Sequence, residues 1–193
     1  MSQPSPGYYD PFPKRSLERP IALTGFMGAP VAAVGRALAA LTGHPIHDLQ
    51  RAVEHRLGAS LEAAILERGL AAVRHHEEKL LADALRSQPA GVLALTHGVL
   101  LGADLRRRVR EEARLVYLRV PFEDLVARLA RQVAAAPGAH YAWLGGRVPE
   151  TEVLHPVFLE REPGYLEADL VVDIGERAPS AVARDLVARL RLD

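Results

Sequence analysis

Residues 21–36 read Ile21-Ala22-Leu23-Thr24-Gly25-Phe26-Met27-Gly28-Ala29-Pro30-Val31-Ala32-Ala33-Val34-Gly35-Arg36. Ile21 to Thr24 is a short apolar run of strand type. Gly25 to Pro30 is a glycine-containing turn. An alanine-rich helical stretch follows, from about Val31 to Leu41. Strand, glycine turn and helix in that order open an α/β unit. Thr42-Gly43-His44-Pro45 then supplies glycine and proline in helix-stop positions.

The same alternation continues. Pro45 to Asp48 reads as a second strand and Leu49 to Leu57 as a helix. Ser60 is placed to cap a helix over Leu61–Arg68, and a longer helix runs over Leu70–Arg86. Gly91 to Leu95 is a buried-type strand ending in a polar break, Thr96-His97-Gly98. Residues 102–111 form a basic helix. Leu115 to Val120 is the next strand, and Pro121 starts a helix at its first turn. Residues 134–149, AAAPGAHYAWLGGRVP, are Gly/Ala/Pro-rich and long enough for a lid or a disordered loop. The spacing predicts a helix near Glu152–Glu162, a last strand over Ala168–Ile174, and a final helix over Ser180–Leu190 capped by Ser180. The expected fold is therefore α/β, with a parallel sheet covered on both faces and a ligand crevice at the carboxyl ends of the strands. The expected organisation is a flexible tail over residues 1–19, which holds four prolines with a fifth at Pro20, and a single domain over 20–193.

Composition narrows the function. Twenty-four basic residues balance 24 acidic ones over 193 residues, and there is no cysteine. A neutral chain has no bulk attraction for nucleic acid or an anionic membrane. Without cysteine there is no thiolate nucleophile, disulfide framework or Cys-based metal site. No segment reaches the roughly 18 apolar residues of a membrane span, and residues 1–20 have no apolar core of the signal-peptide kind. The expected location is the cytoplasm. Only Lys14 and Lys79 carry an ammonium, so 22 of the 24 basic residues are arginine.

Gly25-Phe26-Met27-Gly28, with the trailing Val34-Gly35-Arg36, resembles the phosphate-loop opening of the shikimate kinase family. The resemblance continues through His47-Asp48, Glu54, Gly58-Ala59 and Arg74-x-x-Glu77. It resumes at the 91–98 strand-plus-glycine segment and at Arg161-x-x-x-Tyr165, and covers most of residues 20–190. It implies a P-loop-kinase-like three-layer α/β/α sandwich around a five-stranded parallel sheet. It also implies ATP- and Mg²⁺-dependent phosphorylation of shikimate, a step of aromatic amino acid biosynthesis. By the same resemblance, Asp48 supports the metal or binds substrate, Arg74 and Arg161 bind the substrate carboxylate and hydroxyls, Gly98 belongs to a glycine turn at the substrate, and Arg128 or Arg131 stacks on adenine.

The chain departs from that pattern where the chemistry is most demanding. In G-x-x-x-x-G-K-[ST] the glycines let backbone N–H groups wrap the phosphates, the lysine neutralises the β/γ oxygens, and the hydroxyl ligates Mg²⁺. Here the frame is Gly25-Phe26-Met27-Gly28-Ala29-Pro30-Val31-Ala32. Pro30 removes a donor, Val31 stands for the lysine, and Ala32 stands for the hydroxyl. Gln50 occupies the family's second aspartate position, where an amide makes no useful base. Thr96-His97-Gly98 keeps one glycine of three, and His97 crowds the place where substrate approaches. The lid motif, arginine then proline and leucines, is absent; residues 132–149 fill that region.

Plainer readings stand beside each of these. Arg74 with Glu77 and Glu78 is also a solvated helical charge cluster. Arg161 beside Glu160 and Glu162 is also a surface ion pair. Asp48 also caps the helix that follows it, and His97 is also structural. His75-His76 diverge on a helix and make no metal site. Arg106-Arg107-Arg108 with Arg110 reads as a solvated face before a nucleic-acid patch. Three functions remain: a shikimate-kinase-like protein with an eroded phosphate loop and a retained hydroxy-carboxylate pocket, an active shikimate kinase using a displaced lysine, or a regulatory or assembly partner. The first calls for no cofactor or metal; the second takes ATP and Mg²⁺.

Overall fold

The computed structural model describes residues 16–135 and 150–192. Five strands form one parallel sheet: β1 (Ile21–Thr24), β2 (Ile46–Asp48), β3 (Val92–Ala94), β4 (Arg114–Arg119) and β5 (Leu170–Asp173). Their order across the sheet is β2-β3-β1-β4-β5. The chain leaves β1 toward one edge and later returns to build the other, so the strand order reverses beside β1. Open α/β sheets bind ligands at such a reversal, outside the carboxyl ends of the strands.

Among the described residues eight helices cover the sheet: α1 (Val31–Thr42), α2 (Leu49–Leu57), α3 (Leu61–Arg68), α4 (Leu70–Leu85), α5 (Ala103–Glu112), α6 (Phe122–Ala135), α7 (Thr151–Leu166) and α8 (Pro179–Leu190). The strands alternate their side chains between two cores. Leu23, Val92, Val116 and Leu118 join Val34, Leu38, Leu125 and Leu186 from the helices on one face. Ala22, Leu93 and Leu115 face the other way and pack with Leu81, Leu85 and Val109. A small satellite core of Val53, Leu57, Leu61, Ala64 and Val73 ties α2, α3 and α4 together. Both faces of the central strands are thus dry, as a parallel sheet requires.

The expected elements stand close to where the sequence puts them, with three differences. The helix expected to end at Glu162 runs on to Leu166, through Pro156 and Pro163. Proline lacks the N–H for one helical bond, yet burial of Leu154, Phe158 and Tyr165 on one side holds the helix across both breaks. The extension moves Tyr165 from a loop onto a helix. Ser180 does not cap the last helix; Ala178 is at the N-cap, no side chain caps it, and Pro179 begins it. Residues 132–135, expected to open the lid-like segment, continue α6. The rest of that segment and most of the N-terminal tail, with Lys14, lie outside the described residues.

Candidate functional site

A cleft of about 680 Å³ opens at the carboxyl ends of β1 and β3. The turn after β1 and the start of α1 form its floor. Asp48 at the end of β2 and Gln50 and Glu54 of α2, with Ser60–Glu62, form one wall; Thr96 and His97 close one end, and Gln132 and Val133 of α6 flank it. This is the crevice that strand order alone singles out.

The floor is folded on itself. Gly28 takes a positive φ of 85° that only glycine adopts easily. The Ala29 N–H donates to the Phe26 carbonyl at 3.0 Å, and the Val31 N–H donates to the Ala29 carbonyl at 2.9 Å. Pro30 is the N-cap of α1 and has no N–H. Phe26, Met27 and Val31 are buried in the core. Two of the amides that would cradle an anion are therefore spent on loop carbonyls, a third does not exist, and the lysine position holds a side chain that belongs to the interior. Ala32 offers no oxygen to a cation. These residues do not fit the phosphates of Mg-ATP. Lys79 is exposed on α4 and does not line the cleft.

The acceptor end is built differently. Asp48 is the N-cap of α2, accepting from the Arg51 N–H at 3.3 Å. The capping role is thus real, and the same carboxylate also pairs with Arg36 at 2.9 Å while lining the cleft. Gln50 donates to Glu54 at 3.1 Å. Arg74 is no solvated pair. It donates to Glu77, a carboxylate with no solvent exposure, and Thr96 donates its hydroxyl to the other Glu77 oxygen at 2.6 Å. A buried charge needs such partners. Gly98 sits directly against this assembly: a Cβ there would collide with the Arg74 guanidinium. Any side chain at this position would have to push the guanidinium off its place.

Arg161 is half-buried, and its Nη1 is 3.4 Å from His97 Nδ1. A guanidinium has only donors, so this contact requires an unprotonated Nδ1, with the hydrogen on Nε2. Burial, then the Arg161 and Arg74 charges, push the His97 pKa down to about 3. The ring is neutral at physiological pH and serves as an acceptor. Burial lowers the Arg161 pKa as well. The Tyr165 hydroxyl donates to the His97 carbonyl, and its ring stacks on Tyr117 with centroids 5.2 Å apart. Burial raises the Tyr165 pKa to about 12, which keeps the phenol protonated as a donor. The structure thus brings Arg74, Gly98, His97 and Arg161 together, with Asp48 on the neighbouring wall. Glu77 and Thr96, not assigned a role from sequence, anchor the group; the Arg74-x-x-Glu77 spacing was the available signal.

Other expected residues lie elsewhere. Arg128 donates to the Gly175 carbonyl at 2.7 Å, joining α6 to the loop after β5, whereas Arg131 is exposed. Each arginine of the basic stretch has a carboxylate: Arg106 and Arg110 meet Glu167, Arg107 meets Asp104, and Arg108 meets Glu112. That charge is neutralised locally and presents no phosphate-tracking stripe. Among the described residues no cluster of metal-ligating side chains occurs, and no helix is long and apolar enough to cross a membrane.

Comparison with known proteins follows the same lines. The family model described as Shikimate kinase matches residues 27–191. A shikimate kinase of Chromohalobacter salexigens is 34% identical over 172 residues, covering 89% of this chain and 91% of its own. One from Xanthomonas campestris is 32% identical over 171 residues, covering 88% and 91%. Among solved structures, a shikimate kinase from Acinetobacter baumannii in complex with shikimate superposes with a TM-score of 0.80 at 25% identity, over 91% of this chain and 94% of that one.

Proposed function

This chain belongs to the shikimate kinase family, and from that premise we propose that it binds a small hydroxy-carboxylate of the shikimate type while its phosphoryl transfer is impaired. One observation carries the reading: Pro30, Val31 and Ala32 replace the donor, the ammonium and the metal ligand together, and the adjacent amides donate to the loop's own carbonyls. Removing a single preorganised donor lowers a rate by about 10²–10³. Losing ammonium and metal ligand at once therefore lowers transfer by roughly 10⁴ or more. The grouping of Arg74 and Arg161 around Gly98 supports the acceptor half, since guanidinium forks match a planar carboxylate.

The names of the relatives favour a second reading more directly than impairment. They are shikimate kinases, and an active enzyme here would convert ATP and shikimate to shikimate 3-phosphate. It would need its ammonium from Lys14 or Lys79. The test is ADP release by the full chain with Mg-ATP and shikimate, beside thermal unfolding with shikimate alone. The proposed function gives no turnover at ordinary kinase rates, on the order of 1–100 s⁻¹, and a raised melting temperature. Turnover in that range that disappears in K14A/K79A establishes the active enzyme. No turnover and no shift with either ligand leave the role of non-catalytic partner.

A further inference from the structure

The cleft ends on Thr96 and His97, and neither Arg74 nor Arg161 forms part of its lining. The Arg161 guanidinium lies against the histidine ring and the Arg74 guanidinium against the next residue, Gly98. Arg161 reaches the ring at Nδ1. The backbone beneath the ring is tied down. Its carbonyl is held by the hydroxyl of the buried Tyr165, and the next residue, Gly98, is pressed against the Arg74 guanidinium. Any group that approaches the arginines from the cleft therefore meets the imidazole first. A carboxylate offers Arg161 what the ring now offers, an acceptor, and adds a full negative charge.

We infer that His97 decides which ligands the cleft accepts: its imidazole occupies the Arg161 guanidinium beside Arg74, and a ligand carboxylate coming from the cleft reaches Arg161 by displacing it. This rests on the carboxylate-binding half of the proposed function and names the residue that tunes it. With the ring in place, ligands whose polar groups lie nearer Asp48 and Glu54 compete well against carboxylates. Removing the ring turns the same cleft into a stronger carboxylate site.

Calorimetric titration of the full chain separates the possibilities, using shikimate and its methyl ester without nucleotide. In H97G and in H97S the shikimate Kd falls by roughly tenfold, the lower end for a hydrogen bond to a charged group. The ester, which lacks the carboxylate, binds all forms alike, and R161M added to either variant removes the gain. H97S carries the comparison if H97G unfolds. If wild type binds shikimate and neither variant binds it more tightly, the role of His97 is wrong and the pocket stands. An equal gain for acid and ester means added space alone and also overturns it. If no form binds shikimate, the carboxylate pocket is wrong and the inference falls with it.

Discussion

Replacing Glu77 with alanine tests whether the acceptor end of the cleft is held by a buried ionic assembly. Glu77 is fully buried, Thr96 is 6% exposed, and the Arg74 side chain keeps 22% exposure. E77A strands two partners. The Thr96 hydroxyl loses its 2.6 Å acceptor, which costs about 1–3 kcal/mol when a buried polar group is left unsatisfied. Arg74 loses its counter-charge, and breaking a buried pair by removing one member costs about 3–5 kcal/mol. Arg74 can recover some water through its exposed fifth, so the lower ends apply, about 1 and about 3 kcal/mol, and the total is about 4 kcal/mol. For a domain of this size 1 kcal/mol moves the melting temperature by roughly 2–4 °C. The expected fall is therefore about 8–16 °C. E77Q keeps the volume and an acceptor for Thr96 and loses only the charge, so it falls by less. R74L/E77M, which removes both charges, recovers much of the E77A loss. Thermal and urea unfolding of the four proteins is the assay. An E77A midpoint within about 2 °C of wild type, or a double variant less stable than E77A, refutes the assembly as described.

Two further outcomes follow from the same geometry. Rebuilding the loop as P30G/V31K/A32S restores a donor, an ammonium and a hydroxyl; ADP release with Mg-ATP and shikimate should rise at least about a hundredfold over wild type, and no rise would show that the deficit lies elsewhere. Stability should fall as pH drops from 7.5 to 5.5, because His97 stays neutral when folded while its unfolded form, with an ordinary pKa of 6.5, takes up a proton; the loss is about 1 kcal/mol in urea unfolding, His47, also lowered by burial, adds in the same direction, and H97N must flatten the profile if the sign is right.

The fold was legible because its signals are local and redundant. The apolar run at Ile21, the glycine turn and the stops at Gly43, Gly58 and Ser60 each mark a boundary with their own chemistry, and the structure places β1, α1, α2 and α3 within a residue or so of those marks. The misses are tertiary. Pro163 reads as a helix end, since it removes a backbone donor, but the packing of Phe158 and Tyr165 carries α7 past it. Ser180 has the right type for a cap, but Pro179 at the first helical position moves the start upstream of it. At the site, the residue types were legible and their burial was not. Arg74 and Glu77 three apart fit a solvated pair equally well. What distinguishes the real arrangement is Thr96, 19 residues away from Glu77, and no helical periodicity reaches that far.

The two ends of the cleft differ in what their residues do for the fold, and this difference bears on function. At the phosphate loop the lysine position serves the interior. Val31 is in the core, Phe26 packs edge-on against Phe158 with centroids 5.3 Å apart, and the free amides close on neighbouring carbonyls. Stability alone explains that end. At the acceptor end stability is a poor explanation. A buried carboxylate on a guanidinium is often no better than well-packed apolar residues of the same volume, because desolvation offsets the attraction. Leucine, methionine and valine at 74, 77 and 96 would have filled this space more simply, next to Leu81 and Val73, which are already buried. What an apolar trio could not do is hold a guanidinium rigidly beside a second one, next to a glycine that lets the backbone close in. Such an arrangement orders positive charge before any ligand arrives, and preorganised charge is useful to a ligand that carries the opposite sign. The physical asymmetry is therefore between an end whose lysine position has become core and an end that carries a desolvated ionic assembly.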